Sequence, residues 1–212
     1  MEKRPFTLAV FAKAPLPGRV KTRLALPPSQ SAYLYATFVR DTLHKAIALG
    51  PPVCVFFDGD RTLLEPLAPG GVRWAEQGGG DLGARLARVP APCLILGTDS
   101  PHLPPSVLRQ AWDALTRFDV VLGPAEDGGY YLIGLRGGQP ALFDDIAWST
   151  DAVMAQTLAR ASALGLSVFQ TPPWYDLDTP ADLRRLAQAL EAVPPGSEDD
   201  CPATRAALAA LG

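Results

Sequence analysis

Residues 6–24 read FTLAVFAKAPLPGRVKTRL, an apolar run broken by a proline-stiffened loop that carries Lys13, Arg19, Lys21 and Arg23. Phe6 to Ala12 has the length and apolar character of a buried strand, and the segment after it is a loop rather than a second strand. Pro15 and Pro17 stiffen that loop, Gly18 lets a backbone approach a ligand, and the four cations suit phosphate oxygens. The loop from Ala12 onward therefore reads as a phosphate cradle, with Ala12, Lys13, Gly18, Lys21 and Arg23 as nucleotide-binding candidates. It is not a Walker A loop, because Pro15 and Val20 stand where glycines belong. A basic surface loop explains the same residues.

Outward from this stretch, further apolar runs at Val53–Phe57, Val72–Ala75, Cys93–Gly97, Val120–Gly123, Tyr130–Leu135 and Leu166–Gln170 read as strands. Helical patterns fall between several of them, over Ser31–Leu49, Pro105–Thr116, Asp151–Leu164 and Pro180–Val193. Alternation of this kind predicts an α/β fold of three layers, α/β/α, with a mixed, mostly parallel sheet. Asp127–Leu135, with its paired glycines, reads as a turn feeding an antiparallel strand. Residues 1–193 form the expected domain, and 194–212 a linker and a short helix from Ala203 that caps the core or meets a second subunit.

The composition narrows the function classes. The chain has 212 residues, 48% hydrophobic and 19% charged, with a formal net charge of -3, so it can bury a core and is poorly suited to a nucleic-acid backbone. Its first 23 residues nevertheless hold Lys3, Arg4, Lys13, Arg19, Lys21 and Arg23 against Glu2 alone, a patch that fits a compact anion. Cysteines at 54, 93 and 201 have no disulfide or zinc spacing, and no apolar run spans a bilayer. A cytoplasmic protein with no membrane or nucleic-acid partner is expected. Hydrolase chemistry finds little support: His44 reads as a helix residue, and His102 as a surface residue or a ligand contact.

In open α/β sheets, ligands sit outside the carboxyl ends of the strands, so the residues just after each strand matter most. Asp99, after Cys93–Gly97, is placed to hold a divalent cation; the alternative is an Asp that forms a turn or caps a helix before the prolines of Pro101–Pro105. Asp127, Gly128, Gly129 and Tyr130 contact an acceptor or simply make a hairpin turn, with Asp127 open to acceptor, metal or an attacking hydroxyl. Thr179, Pro180 and Asp182 start a helix, which leaves Asp178 just ahead of its N-terminus. Gly78–Gly83 matches the glycine pattern of dinucleotide-binding loops, so an oxidoreductase is a competing reading.

In their order, FAKAPLPGRVKTRL, GDLGARL, GTDSPHLP, GPAEDGGYYLIGL, WSTD and DLDTPADL resemble the DUF2064 family, over about residues 6–190. Its members are described as cofactor-guanylyltransferase-like transferases and, in some cases, arsenosugar-biosynthesis glycosyltransferases. The resemblance implies a nucleotide-diphospho-sugar transferase (GT-A) fold, with Lys21 and Arg23 on nucleotide phosphates and Mg²⁺ or Mn²⁺ on Asp99 and Asp178. It also implies that the loop with Gly80, Asp81 and Gly83 approaches base or ribose. The expected activity is nucleotidyl transfer from a nucleoside triphosphate to a small phosphorylated or hydroxylated acceptor, with Lys21, Arg23 and Asp127 as catalytic candidates. Glycosyl transfer from a nucleotide-sugar is the alternative, although Thr98-Asp99-Ser100 keeps one acid where such enzymes usually carry an Asp-x-Asp pair. A non-catalytic nucleotide-binding module also fits these features.

Overall fold

The computed structural model describes residues 6–211. Glu2, Lys3 and Arg4 of the N-terminal charge patch lie outside them.

Seven strands form one sheet: β1 (Thr7–Lys13), β2 (Val53–Asp58), β3 (Arg73–Glu76), β4 (Cys93–Leu96), β5 (Val120–Pro124), β6 (Tyr130–Leu135) and β7 (Val168–Gln170). They lie in the order β3-β2-β1-β4-β6-β5-β7. The pairings β1–β2, β1–β4, β2–β3 and β5–β7 are parallel, and β6 alone runs against its neighbours β4 and β5. The reversal comes from the tight Asp127-Gly128-Gly129 turn, since a parallel neighbour needs a crossover of a dozen or more residues.

Strand side chains alternate between two cores, as period-two geometry requires. Leu8 and Val10 face one cluster and Ala9 the other. The first core packs under α1 (Pro28–Ala48), α3 (Pro105–Ala114), α5 (Pro180–Glu191) and α6 (Pro202–Leu211), through Phe38, Leu108, Leu186 and Ala207 among others. The second packs under α2 (Leu82–Ala87) and α4 (Val153–Ala163), through Leu86 and Ala161. The result is the three-layer mixed sheet that the alternation predicts.

Differences from the sequence-based expectation have local causes. Helix α1 starts at Pro28 rather than Ser31, because proline's fixed φ suits a first helical turn. Helix α4 starts at Val153 rather than Asp151, because the Thr150 hydroxyl accepts from Ala152 N–H and holds the preceding residues as a turn. Helix α2, six residues long, stands where the sequence suggests a plain loop, and the Asp81 side chain caps it by accepting from Ala84 N–H. In the tail, α6 lies against α1, with Cys201 and Ala207 in the first core.

The dinucleotide-binding reading does not survive the topology. That motif needs the strand before its glycines to sit centrally and beside the next parallel strand. Here β3 is the sheet edge and β4 pairs with β1 and β6. The glycines serve packing instead: a Cβ on Gly83 would meet the Trp148 ring at 2.7 Å, and one on Gly80 the Ala84 methyl at 2.9 Å.

Candidate active site

The parallel strands end at a cleft of about 570 Å³. Its walls include Lys13 and Arg19 from the first loop, Lys21, Tyr35 from α1, Gly80, Asp81, Leu82 and Arg85 at α2, Asp99 after β4, Tyr130, and Asp178 ahead of α5.

At its centre Lys21 bridges two carboxylates, with Nζ 2.6 Å from Asp99 Oδ1 and 2.8 Å from Asp178 Oδ1. The lysine side chain is 4% exposed, whereas Asp99 is 48% exposed. Burial works to lower the Lys21 pKa, but Asp99 and Asp178 outweigh it and the net shift is upward. Burial likewise works to raise Asp178, and Lys21 and Arg23 together hold it below the usual carboxylate range. Arg23 pairs with Asp178 while remaining largely exposed. Lys21 sits at φ 48° and ψ 41°, in the left-handed region, where an ordinary residue is strained. The bridge to two acids holds it there.

Backbone ties fix the carboxylates. Leu177 N–H donates to the Asp99 carbonyl at 2.9 Å, joining the β4 loop to the segment ahead of α5. Thr179 caps α5 in a capping box with Asp182, whose carboxylate also accepts from Asp178 N–H at 3.1 Å. On the other side, the Tyr35 hydroxyl accepts from Lys13 N–H at 3.0 Å and meets the Thr98 hydroxyl at 2.9 Å. Tyr35 thereby clamps the ends of β1 and β4 together.

Of the candidates named from sequence, Lys13, Lys21, Gly80, Asp81, Asp99, Tyr130 and Asp178 converge on the cleft. Ala12 is buried beside it, and Gly18 is exposed with φ 74°. Gly83 packs against Trp148. Asp127 is exposed and accepts from Gly129 N–H at 2.9 Å, and Gly128 has φ 90°, so this trio builds the β5–β6 turn rather than a cleft wall. Burial pushes the Tyr130 phenol pKa up, which keeps it neutral. His102 is neither on the surface nor in the cleft: it is buried between Trp174 and Tyr175, at ring distances of 5.4 and 4.3 Å.

Sequence reasoning missed Asp176. It lies beside Asp99 in a small adjoining recess, where Ser100 Oγ donates to it at 2.6 Å. Burial and then the negative charge of Asp99 push its pKa up to about 6. The DxD spacing of Asp176 and Asp178 was the available signal, because alternate residues of an extended segment lie on one face, here the face toward Asp99. The structure also reorders the basic residues: Lys13 and Arg19 line the cleft with no acidic partner among the described residues, whereas Lys21 and Arg23 are already paired.

Comparison with known proteins fits this geometry. The family model described as an uncharacterized protein conserved in bacteria (DUF2064) matches residues 41–150. A candidate nucleotide-diphospho-sugar transferase from Desulfovibrio desulfuricans G20 is 32% identical, with 97% of each chain covered and a TM-score of 0.83. The manganese complex of Rv0371C from Mycobacterium tuberculosis H37Rv is 21% identical, covering 89% of this chain and 100% of that one at a TM-score of 0.53. The inositol-1-phosphate CTP transferase from T. maritima is 16% identical, covering 90% and 96% at a TM-score of 0.53. No curated protein sequence matches the chain. The sheet order, the cleft at its carboxyl edge and the match over half the sequence lead to one assignment: the chain belongs to the DUF2064 family and has the nucleotide-diphospho-sugar transferase fold.

Proposed function

We propose that the protein is a cytoplasmic, metal-dependent nucleotidyltransferase that uses a nucleoside triphosphate and a small phosphorylated or hydroxylated acceptor and releases pyrophosphate. The observation that carries this reading is the convergence of Asp99 and Asp178 on one cation, Lys21, in a cleft where Lys13 and Arg19 lack acidic partners among the described residues.

The residues fit a divalent ion. Two hard carboxylate oxygens already share one positive charge, and Mg²⁺ or Mn²⁺ is characteristically held by one or two carboxylates together with substrate phosphates. Asp99 and Asp178 would hold it, and when bound it would neutralise charge on the triphosphate. The rest of the chemistry falls to the chain. Lys13 and Arg19 draw phosphate oxygens into the cleft, and Lys21, freed from one of its carboxylates, adds a third cation. Gly80 and Asp81 border the nucleoside. In-line attack of an acceptor oxygen on the α-phosphorus forms the new P–O bond as the bond to pyrophosphate breaks, and positioning with charge neutralisation supplies most of the rate.

The 32% identical relative is described as a nucleotide-diphospho-sugar transferase, which favours glycosyl transfer as the second reading. Product identity separates the two, pyrophosphate for the first and a nucleoside diphosphate for the second. The direct test is binding: wild type gains thermal stability with a nucleoside triphosphate plus Mn²⁺, about 2.7 kcal/mol at 100 times the dissociation constant. Asp99→Asn loses the metal-dependent part while keeping its circular dichroism. Unchanged metal-dependent binding in that variant defeats the proposal.

A further inference from the structure

The α2 side of the cleft carries a hydrogen-bond donor of unusual character. A guanidinium has five N–H groups. Arg85 spends three of them within the fold: Nε donates to the Gly80 carbonyl at 3.2 Å, and Nη1 to Asp58 Oδ2 at 3.0 Å and Gln77 Oε1 at 3.1 Å. Gln77 is itself buried and anchored, its Nε2 donating to the Phe56 carbonyl at 2.9 Å. Among the described residues the two N–H groups of Nη2 have no partner, and Arg85 lines the cleft.

This arginine differs from Lys13 and Arg19 in two respects. Asp58 already neutralises it, which removes much of its attraction for a phosphate. Its three fixed bonds also hold the guanidinium in place, so the remaining donors are preorganised rather than searching. A neutralised, fixed donor suits a neutral acceptor, and the same part of the cleft offers Phe11, Leu82 and Leu86 as apolar surface for a ring.

Resting on the nucleotidyltransferase reading, we propose that Arg85 is a specificity-determining residue at the nucleobase slot. Its Nη2 donates to a ring carbonyl oxygen, selecting guanine, cytosine or uracil over adenine, which has no carbonyl.

The test compares ATP, GTP, CTP and UTP, each with Mn²⁺, by titration calorimetry on the full chain. At least one carbonyl-bearing triphosphate is expected to bind wild type on the order of tenfold tighter than ATP. In Arg85→Met that nucleotide weakens to the level of ATP, while ATP itself changes little. Arg85→Lys, which can keep an ion pair with Asp58, gives the same comparison if the Met variant does not fold, and is expected to lose the preference too. ATP binding as tightly as the best of the others, or a preference unchanged in the folded variant, overturns the assignment. If none of the four triphosphates binds, the nucleotidyltransferase reading falls and takes this one with it, whereas equal binding of all four removes base selection alone.

Discussion

At the scale of single residues, the least expected side chain is His102. It is 8% exposed, and neither ring nitrogen has a hydrogen-bond partner among the described residues. Burial first, then the nearby Lys45 and Arg185, lower its pKa from 6.5 to about 3. The folded protein therefore keeps His102 neutral, whereas the unfolded chain takes up a proton near pH 6.5. Its contribution to stability is complete above that pH and is lost as the pH falls from 6.5 toward 3, with a slope of at most about 1.4 kcal/mol per pH unit. His102→Leu is expected to remove this part of the acid sensitivity, read as the difference in urea-unfolding free energy between about pH 8 and pH 5. An unaltered difference refutes the assignment. No local sequence signal announces this burial, because Trp174 and Tyr175 reach His102 from far along the chain.

At the scale of elements, most of the fold was legible. Apolar runs marked all seven strands to within about two residues, most plainly the central ones, where a strand buried on both faces writes itself as a continuous hydrophobic block. Helix α2 was not legible: six residues between a glycine cluster and Pro90 are too few to show a helical period. The site was half legible. Asp99 and Asp178 stood out by position after a strand and before a helix, but their meeting on Lys21 depends on sheet order and is invisible in spacing. The β5–β6 turn shows how tightly loops near the site are built. A Cβ on Gly128 would lie 2.2 Å from the Asp151 carbonyl oxygen, at φ 90°, and Met154 N–H donates to the Gly128 carbonyl at 2.9 Å. Gly128→Ala is therefore expected to destabilise the fold by about 1–3 kcal/mol and to loosen the start of α4, measured by chemical denaturation and by hydrogen exchange at Met154. A stability within error of wild type contradicts this account.

At the scale of the whole molecule, no helix among the described residues is long and apolar enough to cross a membrane. The first core is closed by elements from opposite ends of the chain. Helix α6 covers α1, and Asp41 in the middle of α1 accepts from Ala203 and Thr204 N–H at 3.2 and 2.7 Å. Lys45, 8% exposed, donates to the Asp199 carbonyl at 3.1 Å. Truncation before Asp199 would leave both charges on an uncovered face. It is expected to lower the urea midpoint markedly, with loss of several kcal/mol; a truncated chain as stable as the full one would show α6 to be dispensable.

The same contact bears on how the protein is made. Asp41 leaves the ribosome long before Thr204, and at about 5–20 residues per second that interval lasts on the order of ten seconds. Throughout it Asp41 and Lys45 lack the partners that α6 and the segment just before it supply. During synthesis this face of α1 is therefore unfinished, and open to chaperones and proteases, until α6 arrives.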